Sequence, residues 1–181
     1  AGIGFAYHNH DFEFAPLEGR VPYDVLLEET DPDLVRLELD LYWIAKGGRD
    51  PLEYFQRYPG RFPLVHVKDM GEDGGMVDVG EGTIDFGRVI VRAQQAGITH
   101  WFVEHDVPAD PLRTARVSYQ NLRALMAAHA GSPPASRQRA LRRGIVVRES
   151  GTVLGLDRGA RNTEPAFRPT PPAARSPDPR V

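Results

Sequence analysis

The sequence contains no cysteine, which excludes disulfides and thiolate metal sites. Any metal would have to be held by His, Asp, Glu, backbone or water. No apolar run approaches the roughly 20 residues that span a bilayer, and the first residues lack the basic and apolar regions of a signal peptide. These absences fit a soluble, cytoplasmic protein with no membrane partner. Positive charge is also scarce over most of the chain. Of 22 Lys and Arg and 25 Asp and Glu, ten Arg and four acidic residues lie from Gly131 onward, leaving 12 against 21 before it, a net charge of −9. That acidic front part argues against a phosphate-backbone partner, so nucleic acid is not expected there.

What the chain does have is a recurring alternation of short apolar runs and helical patterns up to about Ala130. Strands are expected at Ile3 to Tyr7, Leu34 to Leu39, Leu64 to Val67 and Trp101 to Val103. Helices are expected at Tyr23 to Glu29, from Asp50-Pro51 to about Tyr58, at Asp85 to Ala96 with Gly97 as its cap, and at Pro111 to His129. Strands that read as apolar runs, each followed by a helix, predict an α/β fold with a parallel sheet. An open doubly wound sheet and part of a (β/α)₈ barrel both satisfy this pattern. A full barrel takes about 250 residues, so four βα units supply half of one. The chain begins on a strand without an initiator Met, which suggests N-terminal truncation. From Gly131 to Val181 proline and arginine dominate and apolar periodicity is weak. Residues 1–130 therefore read as the folded domain and 131–181 as a disordered tail, with Ile145 to Val147 and Val153 to Leu156 as its only strand candidates.

Each expected strand of the domain ends in a residue able to bind a metal. The first ends at His8, with His10 two positions on, the second at Asp40, the third at His66, and the fourth at Glu104, followed by His105 and Asp106. A lone Asp at a strand end is ordinarily a turn or cap former, and a lone His a hydrogen-bonded structural group. In a parallel α/β fold, however, the strand C-termini lie at one face, so these four converge. An Asp, His and Glu cluster suits Mn²⁺, Mg²⁺ or Co²⁺, or Zn²⁺.

The segments YHNHDFEF (Tyr7 to Phe14), LELDLYW (Leu37 to Trp43), HVKDM (His66 to Met70), VGEGTIDF (Val79 to Phe86) and WFVEHD (Trp101 to Asp106) resemble the xylose isomerase-like TIM-barrel family of sugar phosphate isomerases and epimerases. The resemblance covers about residues 1 to 130 and matches the C-terminal half of such a barrel. It implies that Asp40, His66 and Glu104 are metal ligands. It also implies that His8 takes the place where many relatives have a Glu, with His10 facing the substrate. Ketose epimerases of the family use two metal-bound glutamates as opposed bases, and here only Glu104 of that pair remains. Trp43 stands where several relatives have a substrate-binding His.

The implied activity is proton removal beside a sugar carbonyl through an enediolate, giving isomerisation or epimerisation, with loss of a leaving group beta to the carbonyl as the lyase alternative. Glu104 is the first choice of base, with His10 and Glu13 as alternatives. Glu13 otherwise reads as a group that orients a histidine or bonds to backbone. Lys68 and Asp69 either contact substrate oxygens or pair with each other on the rim. Gly80-Glu81-Gly82 lacks a full phosphate-loop pattern and reads as a turn. Phe5, Phe12, Phe14, Trp43 and Trp101 are pocket-wall or core residues. The expected partner is a small carbohydrate. Two rivals stand beside this reading: a zinc-dependent endonuclease of abasic DNA, and an inactive barrel fragment whose first strand leaves an open edge for homo-oligomerisation.

Overall fold

Alternation along the strands sets the architecture. In the computed structural model the described residues are 3–129, 145–149 and 152–154, the last two segments through their backbone pairing. In chain order the elements are β1 (Phe5–His8), α1 (Pro22–Glu29), β2 (Val35–Asp40), α2 (Leu41–Lys46), α3 (Pro51–Arg57), β3 (Leu64–Val67), β4 (Asp69–Met70), β5 (Met76–Val77), α4 (Phe86–Ala96), β6 (His100–Glu104), α5 (Pro111–His129), β7 (Ile145–Glu149) and β8 (Thr152–Leu154). A short 3₁₀ turn, Phe12–Phe14, follows β1. The main sheet has the order β1-β2-β3-β6-β7-β8, parallel throughout except that β8 runs antiparallel to β7. Strands β4 and β5 form a separate antiparallel pair. The α/β class and the βα units of a partial barrel are as expected.

Successive strand residues face opposite sides of a sheet. Leu37 and Leu39 of β2, Val65 and Val67 of β3, and Trp101 and Val103 of β6 are all buried. They share one core with Tyr23 and Leu27 of α1, Ile44 of α2, Phe55 of α3, Phe86 and Val89 of α4, and Leu122 of α5. The residues of opposite phase are Glu38 and Asp40, His66, and Phe102 and Glu104. The helix-covered side is thus apolar, and the other side carries the polar strand residues. Register brings these together, with His8 level with Glu38 and Asp40 level with His66.

The expected caps are present. Asp50 Oδ1 accepts from Leu52 N at 2.9 Å, with Pro51 opening α3. Asp85 accepts from Arg88 N to start α4. Gly97 closes α4 at φ 83° against Gly60, a conformation and an approach that exclude a side chain. Two elements escaped the sequence reading: α2, which begins on the residue after β2, and the β4–β5 pair. Strands β1, β2 and β6 also run one residue further than expected at their C-terminal ends, drawing His8, Asp40 and Glu104 into the sheet. Of the aromatic residues, Phe14 and Trp101 are core, whereas Phe5 and Phe12 are exposed. The two strand candidates after Gly131 form β7 and β8, and the rest of the expected tail lies outside the described residues. Among the described residues no helix is long and apolar enough to cross a membrane.

Candidate metal centre

Asp40 uses its two carboxylate oxygens differently. It caps α2, with Oδ1 accepting from Tyr42 N and Trp43 N at 3.0 Å each. Its own backbone N–H donates to Oδ1 of the buried Asn9 at 3.0 Å. Held in this way, Asp40 turns Oδ2 toward His8 Nε2 at 3.0 Å, Lys68 Nζ at 3.2 Å and His66 Nδ1 at 3.6 Å. The cap and the site residue are one side chain.

His66 is met on both ring nitrogens by carboxylates: Glu38 Oε1 lies 3.1 Å from Nε2, and Glu104 Oε2 lies 2.9 Å from Nδ1. Both nitrogens are buried, yet neither makes a hydrogen bond of proper geometry. Close approach without alignment is the arrangement of donors gathered around a common point, and an orphaned buried nitrogen is costly unless something completes it. One ligand atom each from His8, Asp40 and His66 lies within 4.8 Å of the others. Imidazole nitrogens beside carboxylate oxygens are a donor set that fits a divalent ion, and this group could hold one.

The charges reinforce one another. Burial pushes the Asp40 carboxyl up, but the nearby His66 and His8 nitrogens and the Lys68 charge outweigh it and hold the group well below the usual carboxylate range. Burial opposes protonation of His66, yet the Asp40, Glu104 and Glu38 carboxylates raise it to about 10. The His66 contact, opposed by burial and assisted by Lys68, lowers Glu104 to about 2. Burial likewise opposes the Lys68 charge, and Asp40, Asp106 and Glu104 raise its pKa above the ordinary value. Without a metal the site is therefore two cations held among carboxylates.

The other candidate residues lie as follows. The His10 ring lies 5.1 Å from that of His8 and 5.3 Å from that of Trp43. The Trp43 indole N–H is buried without a partner, and the ring passes under Lys46 Nζ at 5.0 Å and Lys68 Nζ at 5.9 Å. Glu13 is buried with both oxygens occupied, accepting from Tyr7 Oη at 2.7 Å and from His10 N at 2.8 Å. This is the backbone-bound arrangement, and it fixes the turn that presents His10.

The pairing of Lys68 with Asp69 is corrected. Adjacent residues on extended backbone point to opposite sides, and here Lys68 turns into the cluster, reaching Glu104 Oε2 at 2.9 Å and Asp106 Oδ1 at 2.8 Å. Asp69 turns the other way and accepts from Met70 N, Gly80 N, Gly82 N and Ile84 N. The glycine segment is thus a turn wrapped on a buried carboxylate, and those N–H groups are not offered to a phosphate. Reading the strands by alternation would have found Glu38, which shares its side with Asp40. Asn9 carried no such signal, and Asp106, noted after Glu104, gave no sign of its lysine partner.

Comparison with known proteins follows the same elements. A sugar phosphate isomerase/epimerase of solved structure from Parabacteroides distasonis superposes with a TM-score of 0.54 and 30% identity, over 72% of this chain and 46% of that one. The chain is a partial relative of the xylose isomerase-like sugar phosphate isomerases and epimerases. Curated relatives include an inosose dehydratase of Lacticaseibacillus casei, 29% identical over 136 residues, covering 65% of this chain and 45% of the relative. Another, from Geobacillus kaustophilus, is 31% identical over 120 residues, covering 56% and 38%. The chain spans less than half the length of each of these relatives. No protein-family model matches it.

Proposed function

We propose that the chain carries the metal-binding part of an enzyme that removes a proton beside a carbonyl of a sugar or cyclic polyol. The observation behind this reading is the meeting of Glu104 with His66 and Lys68 next to the Asp40 carboxylate. His8, Asp40, His66 and Glu104 are the residues that would hold a divalent ion, Mn²⁺, Mg²⁺, Co²⁺ or Zn²⁺. Such an ion supplies Lewis acidity to a substrate carbonyl, which lowers the cost of breaking the neighbouring C–H bond.

The chain's own groups account for the rest. Glu104 is held ionised by His66 and Lys68, so it enters as a base. The Lys68 ammonium, which also reaches Asp106, remains at the same face and would offset the negative charge of a substrate enediolate. His10 and Trp43, 5.3 Å apart ring to ring, form a wall against which the sugar would lie. Glu13 serves this wall by holding the His10 backbone. Return of the proton at the neighbouring carbon gives isomerisation. The names of the curated relatives favour a second outcome, in which the same intermediate expels a beta hydroxyl as water.

The test is proton exchange. Incubated in D₂O with Mn²⁺ and a panel of ketoses and keto-polyols, the chain should wash deuterium into the position beside the carbonyl, and Glu104→Gln should not. Exchange with ultraviolet absorption of an enone marks dehydration, and exchange without it marks isomerisation or epimerisation. No exchange with any substrate, by a chain that binds Mn²⁺, would remove the proposal.

A further inference from the structure

The Lys68 ammonium holds the same two oxygens that a divalent ion would need. Asp40 has only Oδ2 to offer, because Oδ1 is taken by the two N–H groups that open α2. Glu104 offers Oε2, the oxygen nearest His66 Nδ1. Lys68 Nζ lies 3.2 Å from the first and 2.9 Å from the second. An ammonium and a divalent ion on the same oxygens repel each other and compete for lone pairs, so binding of the ion works against the lysine.

Lys68 has a third contact of a different kind. Asp106 Oδ1, at 2.8 Å, belongs to a residue just past the end of β6 and outside the group of His8, Asp40 and His66. The Asp106 side chain is 39% exposed, whereas that of Lys68 is 3% exposed. An ion at the cluster therefore leaves Asp106 in place as a partner for the lysine, on the solvent side of the site.

We propose that Lys68 is the resident counter-ion of the site, yielding the Asp40 and Glu104 oxygens when a divalent ion binds, and that Asp106 is the positioning residue that keeps the displaced ammonium. The inference rests on the metal reading above and adds a competitor and its holder. It differs from a scaffold role, in which Lys68 merely props the carboxylates in position and its loss weakens metal binding. The two roles predict opposite signs.

The test uses Mn²⁺ alone, without substrate, titrated calorimetrically into the wild-type chain, Lys68→Met, Asp106→Asn and the double variant. Removing a unit charge beside the ion should tighten Lys68→Met about tenfold or more. Asp106→Asn should bind about threefold or more weakly, because the lysine then clings to the two ligands, and this loss should vanish in the Lys68→Met background. A simple long-range effect of the Asp106 charge would persist there, and that result overturns the proposal. So does Lys68→Met binding equally or more weakly while the wild type binds, an outcome that leaves the metal reading standing. Absence of binding by all four chains overturns both. If Lys68→Met does not fold alone, the proposal requires that excess Mn²⁺ restore its circular dichroism and melting transition, and failure to do so counts against it.

Discussion

Replacing Asp40 separates its two tasks, because asparagine keeps an oxygen for the helix cap while alanine keeps neither cap nor charge. The charge contacts of Asp40 are with His8, His66 and Lys68. His66 would retain Glu38 and Glu104, and Lys68 would retain Glu104 and Asp106, so neither cation becomes isolated. The loss therefore stays below the 3–5 kcal/mol of a broken solitary buried pair and nearer the roughly 1.5–3 kcal/mol of a charged hydrogen bond. Alanine adds the cap, about 1 kcal/mol. In urea unfolding of the metal-free chain, Asp40→Asn should lose about 1.5–3 kcal/mol and Asp40→Ala about 1 kcal/mol more. Mn²⁺ at a hundred times its Kd should add about 2.7 kcal/mol to the wild type, and neither variant should gain. Equal stability of the two variants refutes the cap assignment. A full Mn²⁺ response in Asp40→Asn refutes the ligand assignment.

Other consequences are as direct. Glu104 lies at about 2 against an ordinary 4.5, so its stabilisation is present above pH 4.5 and lost as pH falls toward 2. His66 lies at about 10 against 6.5, so its contribution is complete below pH 6.5 and lost as pH rises toward 10. The metal-free melting temperature should accordingly be highest between those limits and fall on both sides, and a flat profile from pH 5 to pH 9 contradicts the charge cluster. A methyl group at Gly82 would collide with the Asp69 carboxylate and the Met70 carbonyl, so Gly82→Ala should lose about 1–3 kcal/mol in denaturant melts. Arg61 is buried far along the strands from the cluster and donates to the Leu27 and Val35 carbonyls and to Thr30 Oγ1. Arg61→Ala should cost about 2 kcal/mol or more of stability while leaving the Kd for Mn²⁺ unchanged; a shifted Kd would tie it to the site.

How much of this was legible in the sequence depended on which signal each residue carried. The parallel sheet, the helices from Asp50 and Asp85, and the gathering of His8, Asp40, His66 and Glu104 followed from apolar runs, caps and the rule that parallel strands end at one face. Helix α2 was missed because its cap is Asp40 itself, and one side chain gave two signals of which a linear reading took one. The alternative that Lys68 and Asp69 pair with each other failed because they are neighbours in sequence and opposed in space. Glu38 was legible in principle, since it alternates with Leu37 and Leu39, but the strands had been read as continuous apolar runs. Asp106 was noted after Glu104, but its contact with Lys68 was not legible, because it depends on where a lysine just past β3 reaches.

The central claim is that His8, Asp40, His66 and Glu104 form a divalent-metal site, and Co²⁺ reports it most directly through its visible absorption bands, whose intensity depends on the ligand set. Titrated with Co²⁺, the wild-type chain should develop saturable bands at one equivalent, and these should be lost in both His66→Ala and Asp40→Asn. Bands of unchanged intensity in those variants, or no saturable binding in the folded wild-type chain, would contradict the account.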